Sequence, residues 1–237
     1  MHCSNSHCPF QDIHADNGIL ADAEFECAVG DYVHDVEFEH DETLFMQGQP
    51  SSSLYALTEG MVKICTHTPD GREQIVGLSC PRNLLVGLQS LNDKRYAYTA
   101  IAATSVKACR INQRALLTRV RARGDIGMRL IEAINAQLAH SRALMEVMGH
   151  RCAASKIASF IMLMVPKSTN GNGDISMPFS RVEMASLLGL REETVCRSMA
   201  MMKRNGAIYA PRGRVEVRDW DRIHAIADEC CGGQMMS

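Results

Sequence analysis

Residues 176–219 read SMPFSRVEMASLLGLREETVCRSMAMMKRNGAIYAPRGRVEVRD. Ser180 followed three residues later by Glu183 is a capping-box pattern, in which each side chain satisfies an exposed backbone N–H of the other's residue. It predicts a helix from Arg181 to Leu188 that buries Met184, Leu187 and Leu188. Gly189 stands where a tight turn is needed. A second helix is expected from about Arg191 to Asn205, burying Val195, Met199 and Met202. Two short helices joined by a glycine-containing turn make a helix-turn-helix. Gly206–Tyr209 and Gly213–Val217, on either side of Pro211-Arg212-Gly213, read as the two strands of a wing.

The second helix of such a unit lies in the major groove of a DNA duplex and reads base edges with its N-terminal residues. Here those residues are Arg191, Glu192, Glu193, Thr194, Cys196 and Arg197. An arginine can bond guanine with two parallel N–H groups, and a glutamate can accept from the amino group of cytosine. Glu193 and Arg197 are four apart and share one helix face. The competing reading is a surface ion pair worth a few tenths of a kcal/mol. Lys203 and Arg204 fit phosphate contacts, which position a protein without specifying sequence. Double-stranded DNA is therefore the expected partner.

Upstream, the pattern changes twice. From Val33 to Ile111 short β-prone runs alternate with turn signals, among them DETLFMQGQ, SLYALTEGMVKICTHTPDGREQIVGL and YAYTAIAATSVKACRI. In Pro69-Asp70-Gly71 the proline presets φ and the glycine tolerates positive φ, so VKICTH and EQIVGL should form a hairpin. Many short strands at this spacing suggest a small barrel. From about Asn112 to Met148 the pattern is helical. Ile131, Ile134, Leu138, Ser141, Met145 and Met148 recur at alternating steps of three and four. That narrow seam fits either its own domain or a partner helix, most simply a second copy of the chain. Ala153 to Val165 reads as another helix, ended by Pro166 and the polar KSTNGNGD.

The expected organisation is an N-terminal cysteine-containing arm (1–30), a β-barrel sensor domain (31–122), a dimerisation helix (123–150) and a winged helix-turn-helix domain (151–237). The fold class is α+β. Charge follows the same division. Residues 1–60 carry twelve Asp or Glu and no Lys or Arg, whereas residues 151–218 carry eleven Lys or Arg against five Asp or Glu. A basic C-terminal part suits an anionic partner. No run approaches the ~18 uninterrupted apolar residues of a membrane span, and the start MHCSNSHCPF lacks the pattern of a secretion signal. A cytoplasmic protein without a membrane partner is expected.

These features resemble the CRP/FNR family, the family of the cyclic-AMP receptor protein and the fumarate-nitrate reduction regulator, over about residues 33–227. Glu193-Thr194-Val195-Cys196-Arg197 matches the Glu-Thr-Val/Ile-x-Arg core of that family's reading helix. LYALTEGMVKICTHTPDGREQIVGL is similar to its strand-hairpin-strand signature. The resemblance implies a double-stranded β-helix (cupin-like) sensor, a dimer helix packing Ile131, Ile134 and Leu138 across a two-fold axis, and TTG-type half-sites read by Glu193 and Arg197. It also implies contact with RNA polymerase, for which the hairpin around Asp70-Gly71-Arg72 is a candidate surface. In nucleotide-binding members a cassette after the barrel's later turn supplies Glu, then Arg and Ser or Thr. Here NLLVGLQSLNDKRYAYTA has Gln89 in the Glu region and a shifted register at Arg95-Tyr96-Ala97, although Arg95 could still meet an anion.

The chain looks closer to the redox-sensing branch, where three N-terminal cysteines and one interior cysteine hold a [4Fe-4S] cluster. Cys109, in KACRI, matches the interior ligand, and Cys3 and Cys8 precede the barrel at about the right distance. The close N-terminal triplet of the family is not present. The third ligand falls to Cys27 or to His14, since histidine replaces cysteine on an iron in Rieske centres. The branch also places an acidic residue near the dimer seam, where this chain has Ser141. Cys196 has two readings. One is a redox thiol whose oxidation beside phosphates would oppose DNA binding. The other is a plain replacement for a base-contacting serine. Cys65, Cys80 and Cys152 are expected at core or edge positions, and Cys230-Cys231 on a tail.

The alternatives are a regulator of this family controlled by a small ligand or by thiol oxidation without a cluster and, different in class, a cupin-type enzyme. A cupin metal site needs clustered His and Glu, and His34, His40 and His67 lack a His-x-His spacing. No nucleophile elbow, phosphate loop or paired carboxylates stand in a convincing context, so no enzymatic activity is expected.

Overall fold

The computed structural model describes residues 33–67, 73–79, 85–91, 93–122, 124–164, 173–176, 180–211 and 214–228. The chain divides into two compact units, residues 1–139 and 140–237.

The first unit contains β1 (Val33–Phe38), β2 (Thr43–Phe45), β3 (Ser53–Glu59), β4 (Val62–His67), β5 (Glu73–Ser79), β6 (Leu85–Val86), a 3-10 turn (Leu88–Ser90), β7 (Thr99–Ala102) and β8 (Val106–Asn112). They form two four-stranded antiparallel sheets, in the orders β1-β8-β3-β6 and β2-β7-β4-β5. This is the expected double-stranded barrel. The Pro69-Asp70-Gly71 turn lies outside the described residues, but β4 and β5 pair as the hairpin reading requires, with Cys65 opposite Ile75.

Strand β8 is followed by α1 (Gln113–Ala122) and α2 (Gly124–Gly149), which continues into the second unit. Both lie within the stretch over about 112–148 that the sequence pattern reads as helical.

The period of two along β3 and β8 builds two cores from one sheet. Tyr55 and Leu57 of β3 and Val106 and Ala108 of β8 face the barrel interior with Leu44, Phe45, Val62 and Tyr96. Their neighbours Leu54, Ala56, Cys109 and Ile111 face the other way, against Leu116 of α1 and Ile126, Leu130 and Ala133 of α2. Gly60 closes the β3–β4 turn with φ +83, and a Cβ there would stand 2.2 Å from the Ser105 carbonyl oxygen. Both the positive φ and the backbone clash act against a side chain. We expect Gly60→Ala to cost at least about 2 kcal/mol, measured as a lower denaturation midpoint.

The second unit contains α3 (Ala153–Met164), β9 (Gly173–Ser176), α4 (Arg181–Leu188), α5 (Glu192–Arg204), β10 (Ile208–Tyr209), β11 (Arg214–Val217) and α6 (Trp220–Asp228). Ile157, Phe160 and Ile161 of α3, Met184 and Leu188 of α4, Val195, Met199 and Met202 of α5 and Ile223 of α6 are all at most 1% exposed. The wing is a three-stranded sheet, β10-β11-β9. Its third strand lies where the sequence suggests a polar connection. Gly173–Ser176 has little strand propensity of its own and is extended because it pairs with β11, Val215 opposite Ile175.

Candidate nucleic-acid interface

The two helices of the motif are set by local chemistry. Ser180 caps α4: its hydroxyl accepts from the Glu183 N–H at 3.1 Å, and the Glu183 carboxylate accepts from the Ser180 N–H at 2.9 Å. Gly189 ends α4 at φ 63, ψ 39, a left-handed conformation that glycine adopts at little cost. The Leu190 N–H then returns to the Ala185 carbonyl at 2.9 Å, closing the turn.

Helix α5 starts one residue later than expected, with Arg191 as its cap residue, and ends at Arg204. Its buried stripe is Val195, Met199 and Met202. On the opposite stripe Glu193, Cys196, Arg197, Ala200, Lys203 and Arg204 are exposed. Arg191 and Glu192 are exposed just before it, and Thr194 is half-buried. The structure thus gathers the eight sequence-selected residues on one 13-residue helix and its cap. Such a helix is about 20 Å long and narrow enough for a major groove about 12 Å wide. Glu192 and Glu193 in the first turn and Lys203 and Arg204 in the last also complement the helix dipole.

The wing also carries a side-chain contact that the sequence does not single out. Tyr209 is half-exposed, and the Arg218 guanidinium lies 5.3 Å from its ring centroid. Arg218 also pairs with Glu216 at 3.1 Å. Tyr209 is on β10 and Arg218 directly follows β11, so only the β10–β11 pairing brings them together.

On α2, Ile131, Ile134 and Leu138 are 49%, 41% and 45% exposed, and Ser141, Met145 and Met148 of the same seam are exposed as well. Of the two partners the spacing allows, the barrel takes a different face, through Ile126, Leu130 and Ala133.

The metal candidates fare differently. Cys3, Cys8, His14 and Cys27 lie outside the described residues. Cys109 is 3% exposed in the layer between sheet and helices, and its thiol donates to Asp35 Oδ1 at 3.5 Å. A cluster ligand is a thiolate, and a thiolate there would face a carboxylate. Among the described residues no group of three His, Cys, Asp or Glu could hold a metal ion. The described residues therefore do not make a cluster site by themselves. Cys65 is fully buried, as expected, and Cys196 is exposed. Cys152 stands half-buried just before α3, an edge position as expected, and is disulfide-bonded. Cys80, Cys230 and Cys231 lie outside the described residues.

The barrel core holds a stacked aromatic pair. The Tyr96 ring stacks on Phe45 at 3.8 Å between centroids, and the Tyr96 hydroxyl donates to the Ser53 carbonyl at 2.8 Å. Arg95 is exposed and donates to the Gly48 carbonyl at 2.6 Å. That bond ties two surface segments together and leaves the rest of the exposed guanidinium available.

Two family models match the chain: a cyclic nucleotide-binding domain over residues 35–122 and a Crp-like helix-turn-helix domain over 155–226. The nitrogen fixation regulation protein FixK of Bradyrhizobium diazoefficiens is 30% identical over 197 residues, covering 81% of each chain. The chain belongs to the CRP/FNR family of transcription regulators. The transcriptional activator protein anr of Pseudomonas aeruginosa is 28% identical to this CRP/FNR regulator, over 82% of the chain and 79% of its relative. Among solved structures, FixK2 from Bradyrhizobium japonicum superposes with a TM-score of 0.72 at 21% identity, covering 83% of this chain and 98% of FixK2. A CRP-family regulator from Thermus thermophilus superposes with a TM-score of 0.68 at 22% identity, over 82% and 97%. The regulator is a DNA-binding protein, as its helix-turn-helix and its relatives require. Among the described residues no helix is long and apolar enough to cross a membrane.

Proposed function

We propose that this regulator binds a two-fold symmetric DNA site as a homodimer, one α5 helix in each of two major-groove segments about 34 Å apart. The observation that carries the reading is the exposed stripe of α5, with Glu193 and Arg197 side by side on it. Arg191, Glu192, Thr194 and Cys196 border the reading pair. Lys203 and Arg204 take phosphates. Each half-site is TTG-type, with Glu193 and Arg197 on its G·C pair. Ile131, Ile134, Leu138 and Ser141 form the seam between copies. Once bound, the regulator contacts RNA polymerase, and the hairpin at Asp70-Gly71-Arg72, outside the described residues, is the surface proposed for it.

The test is fluorescence anisotropy on a palindromic duplex. For about six phosphate contacts, affinity should fall about a thousandfold between about 50 and 200 mM salt. A flat salt response, or equal affinity for a scrambled duplex, overturns the reading.

The proposed signal is redox state. Relatives named as FNR-type activators and the sulfur-rich composition support it. In one form a [4Fe-4S] cluster is held by Cys109 with Cys3, Cys8 and Cys27, or His14 in place of Cys27. In the other the input is thiol chemistry alone, at Cys196 on the DNA-facing stripe. The Asp35 carboxylate beside Cys109 favours the second form. Anaerobic purification with iron and acid-labile sulfide assays separates them. Near-stoichiometric iron and sulfide, lost in Cys109→Ala, establish the cluster form. A colourless, iron-free protein that binds the palindrome eliminates it. Cyclic nucleotides should leave binding unchanged, since Gln89 and the shifted register at Arg95-Tyr96-Ala97 depart from the nucleotide-binding cassette.

A further inference from the structure

We propose that a basic groove beside α1 is the docking site of the chain's own acidic N-terminal arm. The groove, about 910 Å³, lies in the first unit. Lys94 and Arg114 stand exposed at it, with Arg119 half-buried along the same helix. Leu91 and Leu117 add an apolar lining, and Asp93 is its one acidic residue. Three cations against one anion make a local positive patch in a domain whose first 60 residues have no Lys or Arg at all.

The occupant follows from where the arm joins the barrel and from its composition. Val33 begins β1 opposite Ile111 of β8, and α1 starts at Gln113, two residues after Ile111. The arm therefore meets the barrel beside the first turn of α1, at the groove's end. Residues 19–31 read ILADAEFECAVGD. They carry Asp22, Glu24, Glu26 and Asp31, no basic residue, and interleaved apolar Leu20, Phe25 and Val29. Acidic and apolar side chains in alternation suit a groove with basic walls and apolar lining. Reach is sufficient: Asp22 is eleven residues before Val33, up to about 36 Å of extended chain, while α1 is about 15 Å long. Opposite charges in such a groove attract over about 10 Å at 0.1 M salt and much less at higher salt.

The first unit has three lysines, Lys63, Lys94 and Lys107, which makes the proposal directly testable. Lys63 is buried against Asp41, and Lys107 pairs with Glu59. The full-length protein is treated with a zero-length carbodiimide cross-linker at low salt and its peptides are mapped by mass spectrometry. The expected product joins Lys94 to Asp22, Glu24, Glu26 or Asp31. Its yield should fall several-fold at about 0.5 M sodium chloride, where the Debye length is about 4 Å, and in the double variant Arg114→Glu/Arg119→Glu. The salt series needs only the wild-type protein, so it stands even where the double variant folds poorly. The proposal is overturned by no link from the arm to Lys94, by equal linkage to Lys107, or by a Lys94 link that high salt leaves unchanged. The last would mean that something other than charge, such as a cluster, holds the arm. A link found only between isotope-labelled and unlabelled copies would assign the groove to the neighbouring chain and overturn docking within one chain.

Discussion

Arg197→Ala should weaken binding to the palindromic site by about 1–3 kcal/mol per half-site, about 5- to 150-fold each, and relax the preference at one base pair. The side chain is exposed on α5, on the turn opposite the buried Val195 and Met199, so truncating it leaves the core unchanged. What is lost is a charge-assisted bidentate contact that a scrambled base pair cannot replace. Lys203→Ala is the comparison. It should weaken all sequences alike and reduce the salt slope by about one per chain. Competition binding against a set of single-base variants separates the two patterns. If Arg197→Ala keeps both affinity and preference, α5 is not the reading helix.

Ile134→Glu should separate the proposed dimer. Ile134 is 41% exposed in the single chain, whereas Leu130, four residues earlier, is 6% exposed against the barrel. The substitution therefore adds no charge to the chain's own core. In a symmetric pair it brings two carboxylates into an apolar seam near the axis, an uncompensated burial that costs several kcal/mol. Analytical ultracentrifugation should show a folded monomer at micromolar concentration. Affinity for the full palindrome should fall at least about a hundredfold, because a monomer engages one half-site. Ile134→Leu, which keeps the volume, should stay dimeric. A dimeric Ile134→Glu protein places the interface elsewhere.

The parts of this molecule that are legible in the sequence are those whose cause is local. Ser180 and Glu183 satisfy each other three residues apart, and Gly189 meets a conformational need at its own position. A reading of neighbours along the chain suffices for both. The stripe on α5 is legible for the same reason, since its spacing sets its face. The parts that escape depend on distant partners. Gly173–Ser176 is a strand only because β11 lies beside it. The surroundings of Cys109 are invisible in the sequence because Asp35 reaches it across a strand pair, 74 residues away. The bond from Arg95 to the Gly48 carbonyl, 47 residues away, is likewise invisible in the sequence. Spacing also cannot choose between two apolar faces of α2, since both satisfy the helical period and only packing assigns one of them to the barrel.

Those two faces bear on how the protein survives in a cell. A newly made chain can cover Ile126, Leu130 and Ala133 by itself but leaves Ile131, Ile134 and Leu138 in water. An exposed apolar stripe is what chaperones and proteases recognise. In the proposed dimer, unpaired chains should therefore be cleared faster than paired ones, so turnover would sharpen the response of active regulator to its own rate of synthesis. The proposed seam would then act as a threshold on abundance, independent of any signal.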